Sequence, residues 1–123
     1  MALITPTVVS QITSWGNNVV TFTWAGITAG STMKAVSGPG WVDRSIQVEG
    51  TFSAASTITA QGSNDSTNFH TLHDPFSNLI SFAAAGLTQI IEVTNNFKPV
   101  LTGGDGTTSL TVTLTTRNSQ PPL

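Results

Sequence analysis

Leu110-Thr111-Val112-Thr113-Leu114-Thr115 is the stretch on which the fold turns. Leu110, Val112 and Leu114 share one parity and three threonines share the other. Successive side chains of a strand point to opposite faces, so this run is a strand with an apolar face and a hydroxyl-bearing face. Strict alternation of this kind belongs to antiparallel sheets that pack on one side and meet water on the other. The pattern recurs upstream. In Val19–Trp24, Val20, Phe22 and Trp24 oppose Val19, Thr21 and Thr23. The run Trp41–Phe52 sets Val42, Ile46, Val48 and Phe52 against Asp43, Ser45, Gln47, Glu49 and Thr51. Arg44 shares the apolar parity, so this strand is expected to enter the core only after it.

Further strands are predicted at Thr7–Ile12, Thr57–Gln61, Phe69–Leu72, Leu79–Phe82, Thr88–Val93 and Phe97–Leu101. Clusters of Gly, Asn, Asp and Pro separate them, because these residues accept or favour turn conformations. Gly103-Gly104-Asp105-Gly106 lies between two strand patterns and reads as a hairpin. No helical stripe reaches three turns. Eight or nine short strands at this spacing predict an all-β, antiparallel β-sandwich of jelly-roll type. Residues 1–117 form one such domain, and 118–123 (NSQPPL) form an extended tail. Residues 25–40 (AGITAGSTMKAVSGPG) lack periodicity and read as a long loop or arm, with Met33 and Val36 as its anchors.

Composition narrows the function classes. The 123 residues carry no cysteine, which removes disulfides, thiolate metal sites and cysteine nucleophiles. Charged residues are 8% of the chain, whereas Thr and Ser supply 34 residues. Four Lys and Arg against six Asp and Glu leave no basic excess for phosphate-driven nucleic-acid binding. Residues 1–12 hold no Lys or Arg, so no secretory signal is expected there, and no apolar run approaches the roughly 18 residues of a membrane helix. Neither a nucleic acid nor a membrane is an expected partner.

Few residues invite chemistry. His70 and His73 form H-x-x-H beside Asp74, but on a strand a spacing of three sends them to opposite faces. They are read as a hydrogen-bonding pair flanking a turn, and no metal is expected. The Gly103–Gly106 loop resembles one unit of a calcium repeat, yet one acid cannot supply six to eight oxygens. No G-x-S-x-G elbow is present, and no catalytic residue or cofactor is expected. Trp24 falls on the apolar parity and belongs to the core. Trp41 follows Gly38-Pro39-Gly40 on the polar parity and is a candidate interface anchor.

The stretch from Trp41 to Arg117 carries a resemblance. It comprises DRSIQVEGTF (43–52), TITAQGSNDSTNFHTLHD (57–74), ISFAAAGLTQI (80–90), KPVLTGGDGTTSLTVTL (98–114) and the closing Arg117. Together these resemble small virion proteins of tailed bacteriophages, the capsid decoration or cement proteins. The resemblance implies a jelly-roll or sandwich fold, a homotrimer, and binding to the major capsid protein on the outer surface of the assembled head. It implies no enzymatic activity. Residues 1–40 lie outside it; Met33 and Val36 in the 25–40 segment, with Trp41 just after it, are the candidate protein-interface residues. QGSNDSTNF (61–69) also looks like a strand-turn of discoidin-type sugar-binding sandwiches, with Ser66 and Phe69 where that pattern has Gly and Trp. A glycan-binding sandwich of a head fibre or tail, and a tail or neck subunit, are therefore the alternatives.

Overall fold

A computed structural model describes residues 3–12, 18–37, 43–53 and 55–117. Its strands are β1 (Leu3–Ile4), β2 (Thr7–Ile12), β3 (Asn18–Ile27), β4 (Thr32–Met33), β5 (Val36–Ser37) and β6 (Asp43–Thr51). They continue as β7 (Thr57–Ser63), β8 (His70–Thr71), β9 (Ser81–Phe82), β10 (Gly86–Ile90), β11 (Asn96–Thr102) and β12 (Ser109–Arg117). One five-stranded sheet has the order β10-β6-β12-β3-β2, antiparallel throughout. The other has the order β5-β11-β7-β8, with β9 also on β7. β1 and β4 form a small parallel pair beside them. The fold is the antiparallel β-sandwich that the alternation predicts.

Register turns that alternation into layers. Across the first sheet, Val8, Phe22, Leu114, Ile46 and Thr88 stand in one inward row. Trp24, Val112, Val48 and Gly86 stand in the next. Ile58, Ala60 and Phe97 face them from the second sheet, and all are fully buried. Trp24 joins the layers: its ring lies 6.0 Å from Phe97 and 6.4 Å from Phe22. Its indole N–H donates to the Lys34 carbonyl at 3.0 Å, so the polar tip of a fully buried side chain is satisfied. Truncating a buried tryptophan costs about 3–5 kcal/mol.

That indole bond helps hold residues 25–37, read from sequence as a long loop or arm, on the sandwich; residues 38–40 lie outside the described residues. β3 continues to Ile27, β4 and β5 follow, and Met33 is buried in the same core as Trp24. Val36 pairs with Phe97 along β11 and packs against that core.

Two other expectations change. Gly103–Gly106 is no hairpin, because its flanking strands belong to different sheets. Leu101 and Thr102 pair with Ile58 and Thr57, whereas Ser109 and Leu110 pair with Thr51 and Gly50. The loop therefore crosses from one layer to the other. Gly103 has φ +74°, and a β-carbon there would sit 2.1 Å from the Ala55 carbonyl oxygen, so only glycine fits. Arg44, expected ahead of the core, lies inside it at 2% exposure. It stands in an inward row with Val20, Thr116 and Ile90.

Candidate functional site

Among the described residues, those singled out in the sequence do not assemble into one site. The Met33 side chain is enclosed by the chain's own core, and Val36 is half-buried against it, so neither is presented as an outward anchor. Trp41 lies outside the described residues. His70 is exposed on β8, opposite Gly62. His73 instead meets Glu92: its Nδ1 is 2.5 Å from Glu92 Oε2, and its backbone N–H donates to Oε1 at 2.7 Å. Asp74 caps the next turn by accepting the N–H groups of Phe76 and Asn78. Glu92 stands 19 positions from His73, so no local motif marks it in the sequence. Among the described residues, no three His, Asp or Glu side chains converge as metal ligands do.

This end of the sandwich forms a polar cleft of about 500 Å³, lined by Asn64, Asp65, Asn68, His70, His73 and Glu92 among others. Asp65 organises its rim. The backbone N–H groups of Asn68 and Thr67, then the Asn68 amide and the Ser63 hydroxyl, hold its carboxyl well below the usual carboxylate range. Partial burial works to raise Glu92, but the bonds from the His73 ring and backbone outweigh it and keep that carboxyl low. Beneath, Arg44 Nη1 donates to Thr94 Oγ1 at 3.3 Å, while its Nε and Nη2 have no partner. Desolvation lowers the guanidinium to about 10, against the favourable charge of Glu92.

The larger surface is the outer face of the β10-β6-β12-β3-β2 sheet. Thr7, Thr23, Thr113, Gln47 and Leu87 stand side by side across all five strands. Val9, Thr21, Thr115, Ser45 and Gln89 form the adjacent row. Neither row carries a charge. The charges lie at the margins: Glu49 takes a bond from Gln47 toward one end, and Arg117 pairs with Asp43 at the other. A depression of about 370 Å³ opens beside that ion pair, between Val19, Ser45, Gln89 and Thr115. Between the apolar edge residues Val9 and Leu87, the face is thus a field of neutral donors and acceptors, suited to docking against a protein surface. Periodicity supplies its threonines, but only strand order and register show that they form continuous rows. No family model, curated protein or solved structure matches the chain.

Proposed function

We propose that this chain is a structural protein of a tailed-phage virion that binds the outside of the assembled capsid and stabilises it as a decoration protein. The observation that carries the reading is the pair of uncharged rows across the outer face of the five-stranded sheet. A decoration protein packs many identical copies on one shell, and a neutral face avoids like-charge repulsion between neighbours. Each hydroxyl or amide contact contributes roughly 1 kcal/mol net, and repetition over the lattice makes the sum strong. Ligand that binds the assembled shell and not the loose subunit stabilises the shell by mass action. In this reading the partner is the major capsid protein, the protein self-associates as a homotrimer, and it catalyses no reaction. A jelly-roll connection of the two sheets belongs to the same reading.

Mixing the purified protein with undecorated heads and imaging the particles by cryo-electron microscopy tests it. Regular density on the shell is the expected result, and Thr113→Lys, which puts a charge in the centre of the face, should weaken binding at least about tenfold, or roughly 1.4 kcal/mol. Bare shells would refute the reading, and density on tails would favour a tail or neck subunit. A second reading rests on the polar cleft at Asn64, Asn68 and His70, whose amides and imidazole suit sugar hydroxyls. Binding on a glycan array that Asn68→Ala abolishes would favour it.

A further inference from the structure

The four sheet edges of this sandwich differ in kind. Exposed edges template pairing with other chains, and proteins blunt them by shortening the strand or by adding charge or proline. The edges of the second sheet are blunted by length: β5, β8 and β9 have two residues each. Those of the first sheet are not. β2 (TVVSQI) is six residues long and β10 (GLTQI) five, and neither contains a charge or a proline. Among the described residues, each pairs on one side only, β2 with β3 and β10 with β6.

Both edges are also apolar. Val8 and Val9 are consecutive on β2, so they point to opposite faces, yet they are 55% and 52% exposed. Val8 belongs to the inward row with Phe22 and is still open, so the second sheet does not reach over β2. Along β10 and its continuation, Leu87, Ile91 and Val93 are all more than half exposed. The backbone bond from Ile91 N–H to the His73 carbonyl, with Leu79 bridged to His73, brings exposed Leu79 to the same flank. At about 60–100 Å² per exposed aliphatic side chain, the two edges together present roughly 500 Å². At one joint the two edges face each other, so this is about a third of the ~1,600 Å² total buried in a standard interface, and the paired backbones and neighbouring side chains supply the rest.

We propose that the β10 edge of one copy adds to the β2 edge of the next, so that the five-stranded sheet continues from subunit to subunit and closes as a ring. A second copy is the occupant that these edges fit. Each edge supplies an uncharged backbone row of the length the other needs, and the outer rows ending in Gln89 and Val9 would run on across the junction. A sheet of five antiparallel strands has edge strands that run in the same direction, so a head-to-tail joint is parallel. Pairing β10 with β10 would be antiparallel and would leave both β2 edges open. The head-to-tail joint leaves none. The proposal supplies a contact for the self-association in the decoration reading, but it rests on the edges and not on the capsid. A ring that ignores phage heads would keep the proposal and end that reading.

The absence of cysteine makes the test direct. Val9→Cys and Gln89→Cys lie on the outer face, and each is made alone in the full chain. A short bis-maleimide should link the two variants when they are mixed and should link neither with itself. Analytical ultracentrifugation should give a closed oligomer, and Leu87→Lys should reduce association at least tenfold while circular dichroism stays unchanged. A monomeric wild-type protein, an unaffected Leu87→Lys variant, or self-linking of Gln89→Cys alone would overturn the proposal.

Discussion

The two ends of the sandwich differ in the polar groups they bury. At the end where the Gly103 loop crosses between sheets, the hydroxyls of Ser53, Ser56 and Thr108 are paired. Ser53 Oγ lies 2.5 Å from Thr108 Oγ1, Thr108 Oγ1 accepts the Asp105 N–H at 3.0 Å, and Ser56 Oγ donates to the Ser53 carbonyl at 2.8 Å. At the other end the buried hydroxyls of Ser63 and Thr116 are paired as well, but a guanidinium is buried beside them: Arg44, with one bond to Thr94 and two nitrogens without partners. Glu92, whose charge favours the guanidinium, gives both its oxygens to His73. A hydroxyl has one proton and two lone pairs, which neighbouring turns can satisfy. A guanidinium has five N–H donors, and local turns cannot supply that many acceptors. The loop at Gly103 is therefore held by paired hydroxyls, and the other end carries the standing cost of Arg44.

The largest expected effect lies at the hydroxyl end. Gly103→Ala forces a β-carbon into the Ala55 carbonyl at a positive φ, so it should destabilise by about 3 kcal/mol, the upper end of such backbone strain. Thr108→Val keeps the shape but strips a partner from Ser53 and from the Asp105 N–H, for about 2 kcal/mol. Urea unfolding measures both. If Thr108→Val matches the wild type, this end is not held by its hydrogen bonds, and if Gly103→Ala does, the crossing loop is not strained by a side chain.

The contrast also explains what could be read in advance. The alternation in Leu110–Thr115 and Val19–Trp24 was legible because parity is a local property, and the structure places Leu110, Val112, Leu114, Phe22 and Trp24 inside. Arg44 had the inward parity too, but its charge argued for water, and the sequence holds no sign that its row mates Val20, Thr116 and Ile90 would enclose it. Gly103–Gly106 had turn chemistry, yet turn chemistry does not say whether two strands pair or part. Met33 looked like a loop residue because two-residue strands are too short to show a period. The uncharged rows and the bare edges depend on strand order, which no local pattern encodes.

Arg44→Met sharpens the comparison with the opposite sign. Methionine is unbranched and fills a similar inward path, while both orphaned nitrogens disappear. Thr94 keeps its bond to the Asn96 carbonyl, and Thr116 keeps its bond to the Val20 carbonyl. The expected result is a gain of about 1 kcal/mol or more in urea unfolding. A loss of stability would mean that the guanidinium contributes more through Thr94 and Glu92 than its desolvation costs.

The smallest effect is the pH dependence at this same end. Glu92 has a folded carboxyl held below its ordinary value, so its contribution is fully present above the unfolded carboxylate range of about 4. It fades as the pH falls from there through the lower folded value. Glu92→Gln removes the titration but keeps an acceptor for the His73 N–H. The pair is more than a third exposed, so solvent screening limits the loss at neutral pH to less than about 1 kcal/mol. The gap between wild type and variant should narrow as the pH falls below 4. Part of that gap is the support Glu92 gives to Arg44, so the substitution should matter less in an Arg44→Met background. A gap that is constant with pH and the same in both backgrounds would separate the His73–Glu92 pair from the buried arginine.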